Sequence, residues 1–326
     1  MADKVLVLLA AYNGESYIRE QLDSIIAQDY VNWELAIQDD GSTDSTEQIV
    51  TEYCERDPRI KFYRNESTHH GPYYNFHYLT NRFKGIDGYD FYMYADQDDI
   101  WFPNKMSKML QSIKKHQTPT LLYADMSLCD ESGKMTDPSL DSSFKMNGRD
   151  RYNVYFCHKI FGCNMMLNKA LFDLMPSIDP ELPNLNILSH DNLTAKFAAT
   201  FGEIEYFSEP TMLYRKHDKA VTNRSYYKRS VSYIIKRMFA WGALAKAHAH
   251  IYNQSIIAIN MLKEAASGDD EKLDYLNEIE NAIRKGGFAA LSYLFKHRVD
   301  CGRLSENISR RLILFLGLHR KYLIEQ

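Results

Sequence analysis

The chain has 326 residues, 45% hydrophobic and 25% charged, with 39 Lys and Arg against 43 Asp and Glu, for a net charge of −4. That length can bury a full α/β core with room for a smaller appended unit, and the mildly acidic balance excludes a nucleic-acid scaffold. The charge is uneven: residues 225–326 hold 16 Lys and Arg against 10 Asp and Glu, which leaves −10 on the remainder. Cys54, Cys129, Cys157, Cys163 and Cys301 form no CxxC pair and no zinc spacing. They are expected as buried or incidental thiols of a cytoplasmic protein. No secretory leader is expected from the short apolar run at Val5, and no run reaches the roughly 18 apolar residues of a membrane span.

Val5–Ala10 reads as a first strand, and Glu15–Gln28 as a helix with Ile18, Leu22, Ile25 and Ile26 on one face. Trp33–Ile37 is a second strand, after which Ser42 or Thr43 is expected to cap a helix reaching Glu55. Ile60–Tyr63, Tyr73–Phe83 and Phe91–Ala95 continue as strand, helix and strand. This alternation predicts an α/β fold, a mostly parallel sheet flanked by helices. Beyond Trp101 the pattern predicts a helix to Lys115, a strand at Leu121–Asp125 and a polar loop over the site at 130–156. Ile160–Leu167 reads as strand, 190–201 as helix, and 204–207 and 211–215 as two short strands. From about residue 226 everything is helical, with Tyr227, Val231, Ile234, Ile235, Met238 and Phe239 in one stripe and a last helix at Leu312–Leu318.

Ligands of parallel sheets bind at the carboxyl ends of strands. The polar clusters Tyr12-Asn13-Gly14-Glu15, Asp39-Asp40-Gly41-Ser42 and Asp96-Gln97-Asp98-Asp99 all follow predicted strands. Crowded carboxylates at the end of an apolar run repel one another, and such hard oxygen ligands suit Mg²⁺ or Mn²⁺ in company with phosphates. A GxGxxG after the first strand and a GxxxxGK[ST] are both missing, which argues against a Rossmann dehydrogenase and a P-loop NTPase.

Ala11-Tyr12-Asn13, Gln28, Asp39 to Asp44, Ala95 to Trp101 and Asn104-Lys105 together resemble a family 2 glycosyltransferase of GT-A fold, over about residues 4–220. The resemblance implies a catalytic domain at 1–224, with a donor half to about 100 and an acceptor half from 101, followed by a helical region at 225–326. It implies a nucleoside-diphosphate-sugar donor held by Ala11, Tyr12, Asn13, Glu15, Asp39, Asp40, Asp96 and Gln97. Tyr12 would stack on the base, and Asp39, or failing it Asp40, would accept its N3–H. Asp98 and His217 would ligate a divalent Mn²⁺ or Mg²⁺, with Arg215 or Lys216 reaching phosphate. Asp99 would cap the next helix or support the site from behind. Trp101, Gly162, Asn164 and His190 would line the acceptor side, and Asp191 would be the general base of an inverting reaction. His70 and Asn75 are weaker candidates for donor or acceptor contact.

The Ala-Asp-Gln-Asp-Asp-Ile-Trp and His-Asp pattern is similar to bacterial rhamnosyltransferases of cell-wall and O-antigen polysaccharide assembly. It implies dTDP-β-L-rhamnose as donor and a lipid-linked glycan acceptor, with UDP-glucose or UDP-galactose as the second donor. A non-catalytic nucleotide-sugar-binding subunit is the competing class, and a nucleotidyltransferase lacks its Gly- and Lys-rich N-terminal loop here. The basic, aromatic residues 225–326 are expected either to contact the inner face of the cell membrane or to pack on the catalytic domain or a second subunit.

Overall fold

The computed structural model describes residues 3–146, 148–218 and 241–325, and in it the opening apolar runs form one side of a nine-stranded sheet. Strands β1 (Val5–Ala11), β2 (Trp33–Asp39), β3 (Ile60–Arg64) and β4 (Phe91–Ala95) pair in parallel in the order β3-β2-β1-β4. Every residue of β4, and all of β1 except Ala10, is buried. Strands covered on both faces read as continuous apolar runs, which is why these four were legible. Helices α1 (Ile18–Ile26), α2 (Thr46–Arg56) and α3 (Pro72–Arg82) make the crossovers. Register sets Ala11 opposite Asp39 and Leu9 opposite Ala95, so the strands that carry the polar clusters end along one edge.

The second half of the sheet is mixed rather than parallel. After β5 (Ile100–Trp101) and α4 (Lys105–Ile113) come β6 (Thr120–Cys129), β7 (Met135–Asp137), α5 (Leu140–Phe144), β8 (Met165–Asn168), α6 (Lys169–Leu174), α7 (His190–Phe201) and β9 (Glu203–Arg215). The order continues β4-β8-β6-β9-β5, with β8 antiparallel to both neighbours and β9 parallel to β6.

Several local expectations change. The two strands expected at 204–207 and 211–215 are one strand, β9, whose pairing with β6 shifts register around Asp125. The expected strand at Ile160–Leu167 is a 3₁₀ turn at Gly162–Asn164 followed by β8. Residues 130–156 are not a loop over the site. They contain β7 and α5, and Met146, Val154, Tyr155 and Phe156 are buried in the core. Ser45, not Ser42 or Thr43, precedes α2, and Asp44 accepts the Thr46 N–H at 3.0 Å.

The C-terminal helices are α8 (Trp241–Ala265), α9 (Asp270–Lys285), α10 (Gly287–Lys296) and α11 (Leu304–Phe315), the last beginning and ending earlier than expected. The expected boundary near 220–226 and the stripe from Tyr227 to Phe239 lie outside the described residues. The helices share one hydrophobic core with the sheet, through Tyr252, Ile256, Ile259, Leu276 and Ile283 among others. Polar ties reinforce it. Ser255 Oγ donates to Tyr155 O at 2.7 Å, and the buried Lys159 ammonium donates to Phe144 O, Cys301 O and Glu306 at 2.7–2.8 Å. Cys157 and Cys301, 144 residues apart, are joined as a disulfide, which corrects the expectation that all five cysteines are thiols.

Gly202 joins α7 to β9 where the chain passes against Pro119. A Cβ at Gly202 would stand 1.8 Å from the Pro119 carbonyl oxygen, which is backbone and cannot rotate away. Gly202→Ala is expected to cost about 1–3 kcal/mol of stability, as overpacking does. A urea denaturation midpoint equal to wild type would remove this constraint.

Candidate active site

The edge of the sheet is built as a lock between loops. Gln97, just past β4, places its amide against the backbone of Tyr12: Nε2 donates to Tyr12 O at 2.8 Å, and Oε1 accepts the Tyr12 N–H at 2.9 Å. A Cβ on Gly14 would fall 2.2 Å from Gln97 Oε1, so glycine is what lets this amide lie flat on the loop. Asn13, at φ +46°, receives Thr43 N–H on Oδ1 at 2.8 Å and gives its own N–H to Ser42 Oγ at 2.8 Å. Glu15 accepts Ser45 N–H at 3.0 Å. The loops after β1 and β2 are thus laced together by side chain to backbone bonds, while Tyr12 keeps its ring 53% exposed.

Asp39 and Asp40 are both buried in this lacing. Asp39 accepts from Gly41 N, Ser42 N and Ser42 Oγ. Asp40 accepts from Asn65 Nδ2 at 2.6 Å, Gly71 N at 2.6 Å and His70 Nδ1 at 3.2 Å. A carboxylate offers about four acceptor positions, so each has room for one further donor. Ala11 O is taken by Asp40 N–H at 2.9 Å, and Asn75 is a buried staple whose amide bridges Gln38.

The acids after β4 divide by depth. Asp96 is half-buried, and its carboxyl is pushed up to about 7, first by burial and then by the charges of Asp98 and Asp191. Asp98 accepts a hydrogen bond from His217 Nε2 at 2.7 Å, and the Tyr17 ring packs on that imidazole at 4.7 Å. Asp99 is fully buried; burial first, then Asp98 and Asp96, raise its carboxyl well above the usual range. Its Oδ1 accepts the Arg215 N–H at 3.2 Å, so it supports the site from behind rather than capping α4. Beneath them lies Lys105, fully buried, its Nζ on Cys163 O at 2.6 Å and 4.1 Å from the Trp101 ring centroid. A buried ammonium under a carboxylate cluster is a built-in counter-charge.

Asp191 opens α7. Two donors bond its Oδ1, Ser189 Oγ and Asn192 N–H at 2.6 Å, and His158 Nε2 lies 3.3 Å from the same oxygen. Burial alone would raise this carboxyl, but His158, His190 and Ser189 outweigh it and hold it below the usual range. His190 is itself pushed down to about 4 by burial. Among the described residues nothing hydrogen-bonds Oδ2, which leaves that oxygen for a substrate proton.

Four candidates sit elsewhere than expected. Trp101 is 2% exposed under Lys105, with Gln21 accepting its indole N–H, so its ring is part of the floor and not of an acceptor wall. Asn164 is fully buried, its Nδ2 on Ala124 O. Gly162 makes room for a neighbouring ring: a Cβ there would lie 2.1 Å from His190 Nε2, and His190 is wedged against Phe76 and Tyr94 at 3.8 and 4.6 Å between ring centroids. Arg215 spends its guanidinium on Asp98 O at 2.8 Å, Glu131 O at 2.5 Å and Glu20, so it braces the acidic turn and does not reach for phosphate. Lys216 beside it is half-buried, its backbone N–H on Cys129 O at 3.0 Å. His158 and Lys196 were not singled out from the sequence; Lys196 lies buried along α7 with its ammonium on Asn192 Oδ1. Neither stands in a motif, so only the fold could reveal them.

Asp98 and His217, a carboxylate oxygen and an imidazole nitrogen 2.7 Å apart, fit Mn²⁺ or Mg²⁺ as ligand types, whereas the soft thiol Cys163, grouped with Asp96 and Asp99 within 4.8 Å, does not. Among the described residues the Asp99 Oδ2 atom is buried with no hydrogen-bond partner.

Comparison with known proteins agrees with this geometry. Residues 6–173 match the sequence model of Glycosyl transferase family 2. The dTDP-rhamnosyl transferase RfbG of Shigella flexneri is 30% identical over 219 residues, 64% of this chain and 72% of RfbG. An uncharacterized glycosyltransferase of Rickettsia bellii is 28% identical over 187 residues, 55% of this chain, and the match spans only 26% of that longer protein. Among solved structures, S. aureus TarS in complex with UDP-GlcNAc superposes with a TM-score of 0.53 at 17% identity, over 99% of this chain and 93% of that one. The mannosyltransferase PcManGT of Pyrobaculum calidifontis, with GDP-Man and Mn²⁺, gives 0.52 at 15%, over 98% and 86%. At those identities the likeness is one of fold, the GT-A fold. With the family match covering more than half its length, the chain belongs to the family 2 glycosyltransferases.

Proposed function

We propose that the chain is an inverting, metal-dependent glycosyltransferase that moves L-rhamnose from dTDP-β-L-rhamnose to a hydroxyl of a lipid-linked bacterial surface polysaccharide precursor. The observation that carries the reaction type is Asp191, whose Oδ1 is held by two hydrogen bonds with the His158 imidazole 3.3 Å away, while Oδ2 is left open. Oδ2 takes the acceptor's O–H proton as that oxygen attacks the anomeric carbon, and the bonding pair of the breaking C–O bond leaves with the nucleoside diphosphate. Attack from the face opposite the leaving group inverts the centre and yields an α-L-rhamnoside. Because Asp191 is held below the usual carboxylate range, it is ionised at neutral pH and ready to accept.

Tyr12 offers its exposed ring to the base, and Asp39 or Asp40 its remaining acceptor position to the base N3–H. Asp96 lies at the ribose. Asp98 and His217 would hold the divalent cation, which when bound offsets charge on the leaving diphosphate. The rhamnosyl assignment rests on the likeness to RfbG and on the His190-Asp191 pair. Uracil presents the same ring face and N3–H as thymine, so UDP-glucose or UDP-galactose is the second reading that the same pocket supports.

If Asp98 and His217 form a cation site, Mn²⁺ at about a hundredfold excess over its Kd stabilises the fold by about 2.7 kcal/mol, a rise of several degrees in Tm. Differential scanning fluorimetry should show that rise for wild type and not for Asp98→Asn or His217→Ala. An equal rise in all three would place the ion elsewhere. Asp191→Asn should lower turnover by about 10²–10⁴-fold while donor affinity is kept. Unchanged turnover would remove Asp191 as the base, and absence of transfer by wild type across dTDP- and UDP-sugars would favour a non-catalytic binding subunit. His158→Ala should lower kcat with little change in donor KM, and His158→Asn, which keeps a donor near Oδ1, should recover part of it. If both variants match wild type in kcat, the His158 contact does not position the base.

A further inference from the structure

One face of the C-terminal helices is apolar and open. On α11 and the residue just past it, Leu304, Ile308, Leu312 and Leu316 recur every four positions and are 75, 49, 38 and 57% exposed. That spacing sets them in one stripe along the helix, while the buried residues of α11 are Arg310, Ile313 and Leu314. From α10, Phe288 and Phe295 are 80% and 59% exposed. The two helices join into one patch. The Phe288 ring meets Phe315 edge-on at 5.2 Å, and the Arg311 guanidinium covers the Phe295 ring at 4.6 Å. Singly exposed leucines are ordinary, but a contiguous patch of this kind marks a surface that meets something.

Charge selects the occupant. Residues 287–325 hold seven Lys and Arg against three Asp and Glu, and among the described residues Arg311 within the patch meets an aromatic ring and no carboxylate. A second copy of this face would bring like charge against like. An anionic lipid surface gains from both features, insertion of the apolar side chains and attraction of the cations around them. The rest of the chain, outside residues 225–326, carries −10 and is repelled, so only this end turns toward such a surface. Among the described residues no helix is long and apolar enough to cross a bilayer, so the contact is interfacial.

We propose that the exposed α10–α11 face docks on the surface of an anionic phospholipid bilayer. This does not rest on the identity of the donor or acceptor. The test is co-sedimentation of the full chain with vesicles of phosphatidylcholine alone and of phosphatidylcholine mixed with phosphatidylglycerol. Wild type should bind the mixed vesicles and bind neutral ones at least about tenfold more weakly, with the difference shrinking as salt rises. Phe295→Ser with Ile308→Ser should weaken binding by about tenfold or more, and Arg311→Glu, which keeps the apolar stripe, should weaken it on mixed vesicles only. Thermal melts and donor hydrolysis serve as controls, and both should match wild type because the substituted side chains are largely solvated. Equal binding by wild type and the serine variant, or equal binding to both vesicle types, overturns the proposal. So does a concentration-dependent dimer in sedimentation velocity that the serine substitutions dissolve, which would assign the face to a second copy.

Discussion

Three carboxylates within four residues at the end of a buried strand impose the constraint around which this edge is arranged. Like charges about 4 Å apart repel by about 4 kcal/mol even at an effective dielectric near 20. The chain answers with two cations and an imidazole from three directions. Lys105 rises from α4 beneath Asp96 and Asp99, Arg215 from β9 grips the backbone of Asp98 and gives its N–H to Asp99, and His217 donates to Asp98 itself. Arg215 in turn draws in Glu20 of α1. Meeting the repulsion therefore ties the ends of β4, β9 and α1 into one unit. Asp99 is buried deepest and takes the other solution, a carboxyl raised well above its usual range by burial and then by Asp98 and Asp96.

What could be read from the sequence was whatever is local. Strands β1, β2 and β4 are short and largely buried, so their runs announce themselves, and each functional cluster follows its strand directly. The lacing between clusters was invisible. Gln97 reaches Tyr12 across 85 residues and Ser42 reaches Asn13 across 29, and no periodicity encodes such pairings. Ser42 and Thr43 carried a capping signal that tertiary bonds overrode: Asn13 needs the Thr43 N–H and the Ser42 hydroxyl more than α2 does. The acceptor side was misread for a related reason. Trp101, Gly162 and Asn164 stand in a motif, but the fold spends them on a floor, a gap for His190 and a bond to Ala124.

Strand β9 shows how a local signal can mislead. Ser208-Glu209-Pro210 reads as a break between two strands, since proline cannot donate to a ladder. The structure absorbs it at a register shift, with Phe207 opposite Ala124 and Pro210 opposite Asp125, so two residues bulge and the strand continues. Continuation matters for the site, because only an unbroken β9 delivers Arg215 and His217 to the end of β4.

That delivery also relates the proposed base to the proposed diphosphate seat. Asp191 stands at the start of α7 and His217 just beyond the end of β9. The helix carries the chain away from the edge, Gly202 turns it tightly against Pro119, and the strand brings it back. Both groups thus return to one edge although 26 positions separate them in sequence. In-line displacement needs the incoming and leaving oxygens on opposite sides of the anomeric carbon at a fixed span. A base and a diphosphate seat on consecutive elements, packed as one piece, hold such a span better than groups on separate loops. Asp96 feels the charges of both Asp98 and Asp191, so its carboxyl responds to the two groups together.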